Sequence, residues 1–528
     1  MDRKIDIKII GILFLFVFIL EFWVSINSYT HDLYNRIDSA IFFMCGKAWV
    51  NGMIPYVDYS DAKGPLLWLI FGAGYLLNNC NYLGIFWIEC IFYTVAFFYC
   101  YKIGYLFLQD KKTALLCSFL MSLSFFCWAY HYETRAEDFC QPFITGSLYY
   151  TLRALYGFKR DRDVTSAFFV TGIGFAAALL MKFTIAAMIG IFFIALFWYL
   201  IKCRKDLIGK SLLFALSGIS TVLLPFILYF LYTGHFHDFI GEYFITTSQT
   251  IVKTPTLWAV IKDYLFDGWG SIFHLHILKT IIICFLLANI IAGCIYLYKK
   301  LPVFKWVPAI IAFWFVSISM YHALGYYYHS FAAFAIFPII MYLAFFKRFI
   351  REKLHLAIIA GAIIVVVIVG NVPFLRPNFF LNKPEERTDF YYVNRILSQT
   401  PNPKIMFSFY DTGYGTPTRA LPGCKYWTGQ VGATKKMVSE RELAVKQRRP
   451  DFVFVMIYTN YDFFFMDLLQ QSGYIKYYTW TTHIGAGHFE TYLYGRPGYS
   501  LPPDDLHINP MDILLKKQII SSNSGFLK

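Results

Sequence analysis

The chain has 528 residues, of which 58% are hydrophobic and only 15% charged. That balance excludes an ordinary soluble enzyme and places the chain among polytopic membrane proteins. The net charge of +14 does not indicate nucleic acid, because the basic residues cluster in short loops between apolar runs, as the positive-inside rule requires. The 11 cysteines are odd in number and lie mostly within apolar runs, so they read as small hydrophobes rather than a disulfide framework.

Apolar runs of near 20 residues recur to about residue 373, each able to cross about 30 Å of hydrocarbon. Their length and solid apolarity predict helices, not barrel strands. The predicted spans are 8–28, 65–79, 83–108, 112–130, 138–155, 166–183, 184–201, 211–232, 274–297, 303–321, 327–346 and 354–373. The first reads as an uncleaved signal anchor. Basic loops at Arg3–Lys8, Lys111/Lys112, Arg153–Arg162, Lys202–Lys210, Lys299–Lys305 and Lys347–Lys353 are expected in the cytoplasm. Loops 29–62, 131–138, 233–273 and 322–326, with everything after 373, are expected outside. The alternation needs an odd number of crossings between residues 63 and 111, so the short 65–79 run, which opens on Gly64-Pro65, is expected to be re-entrant or not to span fully. About eleven crossings remain, with the N-terminus inside and the C-terminus outside.

The first external loop gathers polar chemistry. Asp38 opens a helical pattern in which Ile37, Ile41, Phe42, Cys45 and Trp49 form an apolar stripe, predicting a helix lying in the membrane interface. A carboxylate there can accept a proton from an acceptor hydroxyl, or simply cap the helix. Lys63, at the start of the next apolar run, can neutralise a phosphate leaving group, or snorkel. Asp58 and Asp61 can pair with Lys63, bind a divalent cation, or form a plain polar turn near Tyr56. Glu133, Arg135, Glu137 and Asp138 make a second external cluster. Tyr326, Tyr327, Tyr328 and His329 reach the same face, to stack on a sugar or touch a phosphate, or as an interfacial aromatic belt. Lys182 is expected near the outer face, and Glu89 is expected to make a structural contact. His235, His237, Asp238 and Glu242 lack metal-site spacing, and no metal is expected there.

From about residue 384 the composition becomes that of a soluble domain. Helices are predicted at Pro384–Ser398 and 431–447. Strands are predicted at Lys404–Tyr410, Asp451–Tyr458, Tyr474–Trp480 and His488–Tyr494. Asp411–Gly415 reads as a turn, and Gly413-x-Gly415 is too weak a pattern for a nucleotide site. The tail after Pro502 is expected to be irregular. The organisation predicted is a transmembrane domain 1–373, with its external loop 29–63, followed by a small extracytoplasmic α/β domain at 374–528.

Asp38-Ser39, Gly46-Lys47-Ala48, Gly52, Pro55-Tyr56, Asp58 and Asp61-x-Lys63-Gly64-Pro65 together resemble the first external loop of bacterial GT-C glycosyltransferases. That group includes protein O-mannosyltransferases and 4-amino-4-deoxy-arabinose lipid A transferases. Ala136-Glu137-Asp138-Phe139-x-x-Pro142-Phe143 resembles the group's second acidic motif, and Tyr327-Tyr328-His329 its later aromatic segment. The resemblance covers nearly the whole chain. It implies a multi-span helical fold with a small external α/β domain, in a bacterial plasma membrane. It also implies transfer of a sugar from a polyprenyl phosphate to an envelope lipid, glycan or protein, usually with inversion. By carry-over Asp38 is the base or an acid that positions the acceptor, and Lys63, with Tyr327 and His329, holds the donor phosphate. Tyr56, Asp58, Asp61, Glu137 and Asp138 line the cavity. No cofactor is demanded, and a divalent cation is the one left open. Expected partners are the lipid-linked donor, the acceptor and membrane lipids, with no nucleic acid. Lys63 is followed by Gly-Pro rather than the Pro-Pro common in the arabinose transferases, so their substrate does not carry over. The peptide-binding motif of the oligosaccharyl branch is not found.

Two other classes compete. A flippase or transporter of a lipid-linked glycan needs ionisable or broken-helix features near the midplane, whereas this chain concentrates acids at one face. A polymerase or ligase of surface glycans should depend on arginines in a long external loop, and the 233–273 loop holds only Lys253 and Lys262 as basic residues apart from its histidines.

Overall fold

The computed structural model describes residues 3–30, 38–129, 131, 133–156, 160–248, 269–301, 304, 307, 325–346, 356–375, 388–411, 413–429, 433–457, 460–484 and 487–499. The expected span 303–321 apart from Phe304 and Val307, residues 249–268 of the 233–273 loop with Lys253 and Lys262, and the tail after Pro502 lie outside the described residues. Chain contacts divide the molecule into two compact units. The first comprises Met1–Ser25, Glu89–Tyr229 and Val252–Arg376, and the second Ile26–Ile88, Phe230–Ile251 and Pro377–Lys528.

Seven described helices are long and apolar enough to cross a membrane: Ile7–Val24, Leu83–Leu108, Asp161–Met181, Phe183–Cys203, Lys205–Tyr232, Ile281–Tyr298 and Tyr327–Phe345. The chain is a multi-pass membrane protein. Leu356–Leu375 adds a further apolar helix. Ala136–Tyr156 forms where expected, but it buries Glu137, Asp138, Gln141, Thr145, Ser147 and Thr151 and is too polar to count among the seven.

Two expected spans differ in detail. The 112–130 run is not one helix: Lys111–Leu120 ends at Met121, and a short turn, Ser122–Phe125, follows. Serine hydroxyls take over carbonyls around the break, Ser118 donating to Phe97 O at 2.7 Å, Ser122 to Phe119 O at 2.7 Å and Ser124 to Ala332 O at 3.1 Å. Such bonds offer the backbone an alternative to the helical ladder. The 327–346 run begins as a 3-10 helix, Gly325–Ala335, and turns α-helical only at Ile336–Phe345. Lys182, in extended conformation (φ −155°, ψ 99°), separates Asp161–Met181 from Phe183–Cys203, close to the boundary expected between spans 166–183 and 184–201.

Within the first unit, Ala136–Tyr156, Asp161–Met181, Phe183–Cys203 and Ile208–Tyr232 share a core that includes Ala154, Val164, Phe168, Leu196, Leu200 and Ala215. Small residues allow the close crossings. A Cβ on Gly172 would lie 2.5 Å from Ala215 O, and one on Gly218 would lie 2.1 Å from Phe169 O, the close approach that small-residue helix interfaces permit. Arg204 pairs with Asp161 at 2.5 Å and Arg153 with Asp163 at 2.6 Å. The two basic loops expected on one side of the membrane thus meet.

In the second unit, Asp38–Val50 is a helix, but it is not a one-sided interfacial one. Every residue from Ser39 to Ala48 is buried. Pro65–Leu77 packs across it so closely that a Cβ on Gly46 would stand 2.3 Å from Gly72 N. Pro65–Leu77 has 13 residues, a rise of about 20 Å at 1.5 Å per residue, short of the roughly 30 Å hydrocarbon thickness. That length fits the expectation that the run does not span fully.

The C-terminal part of this unit holds five strands: β1 (Lys404–Phe407), β2 (Leu421–Pro422), β3 (Phe452–Met456), β4 (Ile475–Ile484) and β5 (Gly487–Gly495). They are ordered β2-β1-β3-β5-β4. β1 is parallel to β2 and β3, while β5 is antiparallel to β3 and β4. The helix Lys435–Lys446 lies between β1 and β3 in sequence, as a parallel crossover requires. Thr434 caps it through Met437 N. β2 and the helix Asn460–Gln471 were not expected from the sequence. The turn at 411–415 is plain: Gly413 adopts φ +88° and donates its N–H to Asp411 Oδ1 at 2.7 Å.

Gly46→Leu should lower the thermal midpoint by several degrees, through overpacking of about 1–3 kcal/mol or more. Gly209→Ala, where a Cβ meets nothing within 4 Å, should leave it unchanged. Thermal unfolding of the two purified variants checks this.

Candidate functional site

The expected site residues fall in both units. Asp38, Tyr56, Asp58, Asp61 and Lys63 belong to the second, and Glu137, Asp138, Tyr327 and His329 to the first.

In the second unit Asp38 occupies the first turn of its helix and is half-buried. The loop that follows is folded by its own hydrogen bonds. Gly52 takes φ +85° and Tyr56 φ +66°. Tyr56 N donates to Tyr59 O at 2.8 Å, and Ile54 N to Asp58 Oδ2 at 2.7 Å. Asp58 is exposed and serves as a turn residue. The Tyr56 ring is fully buried against Trp68, Phe239 and Tyr243, and its hydroxyl donates to Lys63 O at 3.0 Å. That bond fixes the backbone from which the Lys63 side chain leaves.

Asp61 is buried, and its Oδ1 accepts Lys63 N at 3.1 Å. Burial pushes its carboxyl above the ordinary range; the Lys63 ammonium opposes this and the Asp38 carboxylate adds to it. The Lys63 ammonium stands 5.4 Å from the centre of the Phe42 ring, within cation–π range and one turn along the helix from Asp38. The structure thus brings Asp38, Asp61 and Lys63 into one charge cluster.

Sequence reasoning named Lys47 only as part of a motif. It is fully buried, and its ammonium donates to Gly415 O at 3.1 Å and Thr418 O at 2.5 Å. Burial pushes it down to about 7, opposed by the Asp411 charge. Asp411, also fully buried, is pushed up to about 7 by burial, opposed by its bond from Gly413 N and by Lys47. The helix that begins at Asp38 is thereby pinned to the loop after β1. Glu242, the last member of the unconvincing metal set, binds Tyr426 Oη at 2.9 Å and Lys425 at 3.0 Å instead. His235 pairs with Asp238 at 3.0 Å.

In the first unit Glu137 and Asp138 form the first turn of Ala136–Tyr156. Glu137 Oε1 binds the Lys182 ammonium, which lies 3.9 Å from the centre of the Tyr327 ring. The helix break at Lys182 therefore delivers a cation to a buried acid. Asp138 Oδ1 accepts the Tyr93 hydroxyl at 2.6 Å, and Oδ2 accepts Arg135 N at 2.8 Å. His131 and His329 stand beside the same carboxylate. Glu89 accepts Ser25 Oγ at 2.7 Å and Thr134 Oγ1 at 2.5 Å, the structural contact expected of it. Tyr93 and His131 were not foreseen. His131 lies in the external loop already singled out for its acids, but a lone histidine seven residues from Asp138 carries no spacing signal.

Residues 62–230 match the family model of dolichyl-phosphate-mannose-protein mannosyltransferases. The match takes in Lys63, Glu137, Asp138 and Lys182 and leaves out Asp38, Tyr327 and His329. The fold is similar to that of ArnT from Cupriavidus metallidurans in the apo state, with a TM-score of 0.54 at 12% identity over 92% of this chain and 97% of that one. The oligosaccharyltransferase of Archaeoglobus fulgidus, solved in complex with Zn and sulfate, gives a TM-score of 0.47 at 13% identity, over 95% of this chain and 74% of that one. A search of curated protein sequences found no match. The family model matches about a third of the chain, and the likeness to ArnT is one of fold; together they support a fold of the membrane GT-C type.

Two outcomes follow from the buried charges. Lys182→Met strands the Glu137 carboxylate and should cost about 3–5 kcal/mol; adding Glu137→Gln should restore much of the loss in a thermal-unfolding double-mutant cycle. Asp411 holds a proton in the folded chain up to about 7, against 3.8 for the free group, so its contribution to stability falls as pH rises between those values. Lys47 releases its proton near 7 in the folded chain against 10.5 for the free group, so its contribution rises from about 7 upward. Asp411→Asn should therefore gain thermal midpoint relative to the natural chain between pH 5 and pH 7, as parallel melts at the two pH values would read.

Proposed function

We propose that this chain is a GT-C membrane glycosyltransferase that moves a sugar from a polyprenyl-phosphate donor to a hydroxyl of an envelope lipid, glycan or protein. Transfer occurs at the outer face of a bacterial plasma membrane, with inversion at the anomeric carbon. Asp38 takes the proton from the acceptor hydroxyl as the new bond to the anomeric carbon forms. The bond from that carbon to the phosphate oxygen breaks, and Lys63 stabilises the phosphate that leaves. The N-terminus lies in the cytoplasm and the α/β domain outside, as the distribution of lysine and arginine indicates.

The observation that carries this reading is the Asp38–Asp61–Lys63 cluster. A displacement of this type needs a base for the acceptor and a cation for the leaving group. The loop holds one of each on a backbone fixed by Tyr56. Asp61 orients Lys63 through its N–H, and Asp58 shapes the turn. His329 and Tyr327 are not given a phosphate here, because His329 lies beside Asp138 and the Tyr327 ring is covered by Lys182.

The test is turnover of a panel of radiolabelled polyprenyl-phosphate sugars by purified protein in lipid. Asp38→Asn should lower kcat for transfer by a factor of about 100 or more. Lys63→Ala should lower donor kcat/KM by about as much. Full activity of Asp38→Asn would remove the base assignment. If no donor reacts while labelled lipid crosses the bilayer of proteoliposomes, the chain is a transporter instead.

A further inference from the structure

Three buried ligand groups converge in the first unit, apart from the cluster assigned to transfer. His131 stands in the loop before the Ala136–Tyr156 helix, Asp138 in the first turn of that helix, and His329 in the 3-10 helix Gly325–Ala335. Their exposures are 5%, 2% and 2%. One ring nitrogen from each histidine and one oxygen of the carboxylate all lie within 4.8 Å of one another. Asp138 Oδ1 is 2.9 Å from His131 Nδ1 and 3.4 Å from His329 Nδ1.

Asp138 Oδ1 also accepts the Tyr93 hydroxyl at 2.6 Å, but hydrogen bonds leave one group of the cluster unserved. His131 Nδ1 is a buried ring nitrogen that makes no aligned hydrogen bond, despite its distance of 2.9 Å from Asp138 Oδ1. A buried polar atom left this way costs free energy, and an ion bound between the groups would satisfy it. Ligand atoms held about 2.0–2.1 Å from a tetrahedral zinc stand roughly 3.3 Å from each other. The two distances, 2.9 and 3.4 Å, bracket that edge. Two imidazoles and one carboxylate suit zinc, whereas calcium and magnesium favour shells of oxygen.

The surroundings fit a ligand set too. Arg135 N holds Asp138 Oδ2 at 2.8 Å, and Oδ1 faces both the Tyr93 hydroxyl and the histidines. Gln141 Nε2 donates to His329 O at 2.9 Å, tying the 3-10 helix to the helix that carries Asp138. Outer-shell bonds of this kind orient metal ligands and raise affinity.

We infer that His131, Asp138 and His329 bind one zinc-class divalent cation, which clips the 131–138 loop to the 3-10 helix. The site stands independently of the transfer reading, since the ion's role is to join these segments.

Full-length protein would be stripped with chelator, dialysed, and titrated in detergent with zinc chloride or magnesium chloride. Bound metal would be counted by mass spectrometry, and the thermal midpoint followed in parallel. About one equivalent of zinc should bind and raise the midpoint, with magnesium doing neither. His131→Ala and His329→Ala should each weaken zinc binding by at least about 10-fold, given that even outer-shell changes cost about 10–100-fold. His237→Ala, at an exposed histidine, should bind as the natural chain does. Absence of stoichiometric zinc and of any zinc-dependent midpoint shift in the natural chain overturns the site, as do alanine variants that bind zinc unchanged. Should those variants fail to fold, the stoichiometry of the natural chain decides alone. No sugar donor enters the assay, so its result is separate from that of the turnover test.

Discussion

Each unit is organised by the same constraint: a charge taken out of water must find a partner on another stretch of chain. An isolated buried ion costs several kcal/mol even after relaxation, so the partner is part of the fold. Glu137 has Lys182, and the chain abandons helical geometry at residue 182 to supply it. Asp138 has Tyr93 Oη and Arg135 N on its two oxygens. Lys47 has two carbonyls of the 415–418 stretch, with Asp411 nearby. In each case the charge joins segments far apart in sequence.

That constraint separates the two carboxylates of the first loop. Asp61 is buried and already accepts the Lys63 N–H, so part of its acceptor capacity is committed to the turn. Asp38 sits half-buried at the open first turn of a helix whose body is buried throughout. A base that must meet an incoming hydroxyl needs an accessible oxygen on a rigid support. The Gly46–Gly72 crossing and the Lys47 anchor supply the rigidity. The motif glycine and lysine therefore have a mechanical role, although neither touches the proposed reacting atoms.

Hydropathy exposed most of the helical body, because a span must be long and apolar whatever its neighbours are. It also exposed the start of the helix at Asp38 and four of the five strands, since period and composition are local signals. The break at Met121 was hidden, because it rests on serine hydroxyls that bond to Phe97 O and Ala332 O, residues remote in sequence. β2 has only two residues, Leu421 and Pro422, and pairs in parallel with β1, which no alternation could reveal. The helix Asn460–Gln471 hid in a run of aromatics that read as neither strand nor helix. The acids of the candidate site were legible as types and positions. Their partners were not: Lys47 entered only as part of a motif and His131 not at all, because pairing depends on tertiary contact.

The chemistry of the leaving group explains why this arrangement suffices. A phosphate departs as a stable anion, so a fixed cation is worth more than a proton donor at that end of the reaction. The acceptor hydroxyl is a weak nucleophile and needs its proton removed as it attacks. One ammonium and one carboxylate on a short, rigid loop meet both demands. Lys63 rests over the Phe42 ring, its backbone held by Tyr56 and Asp61. An aromatic face attracts a cation. The aromatic surroundings of the loop are thus part of the electrostatics of the site as well as of its packing.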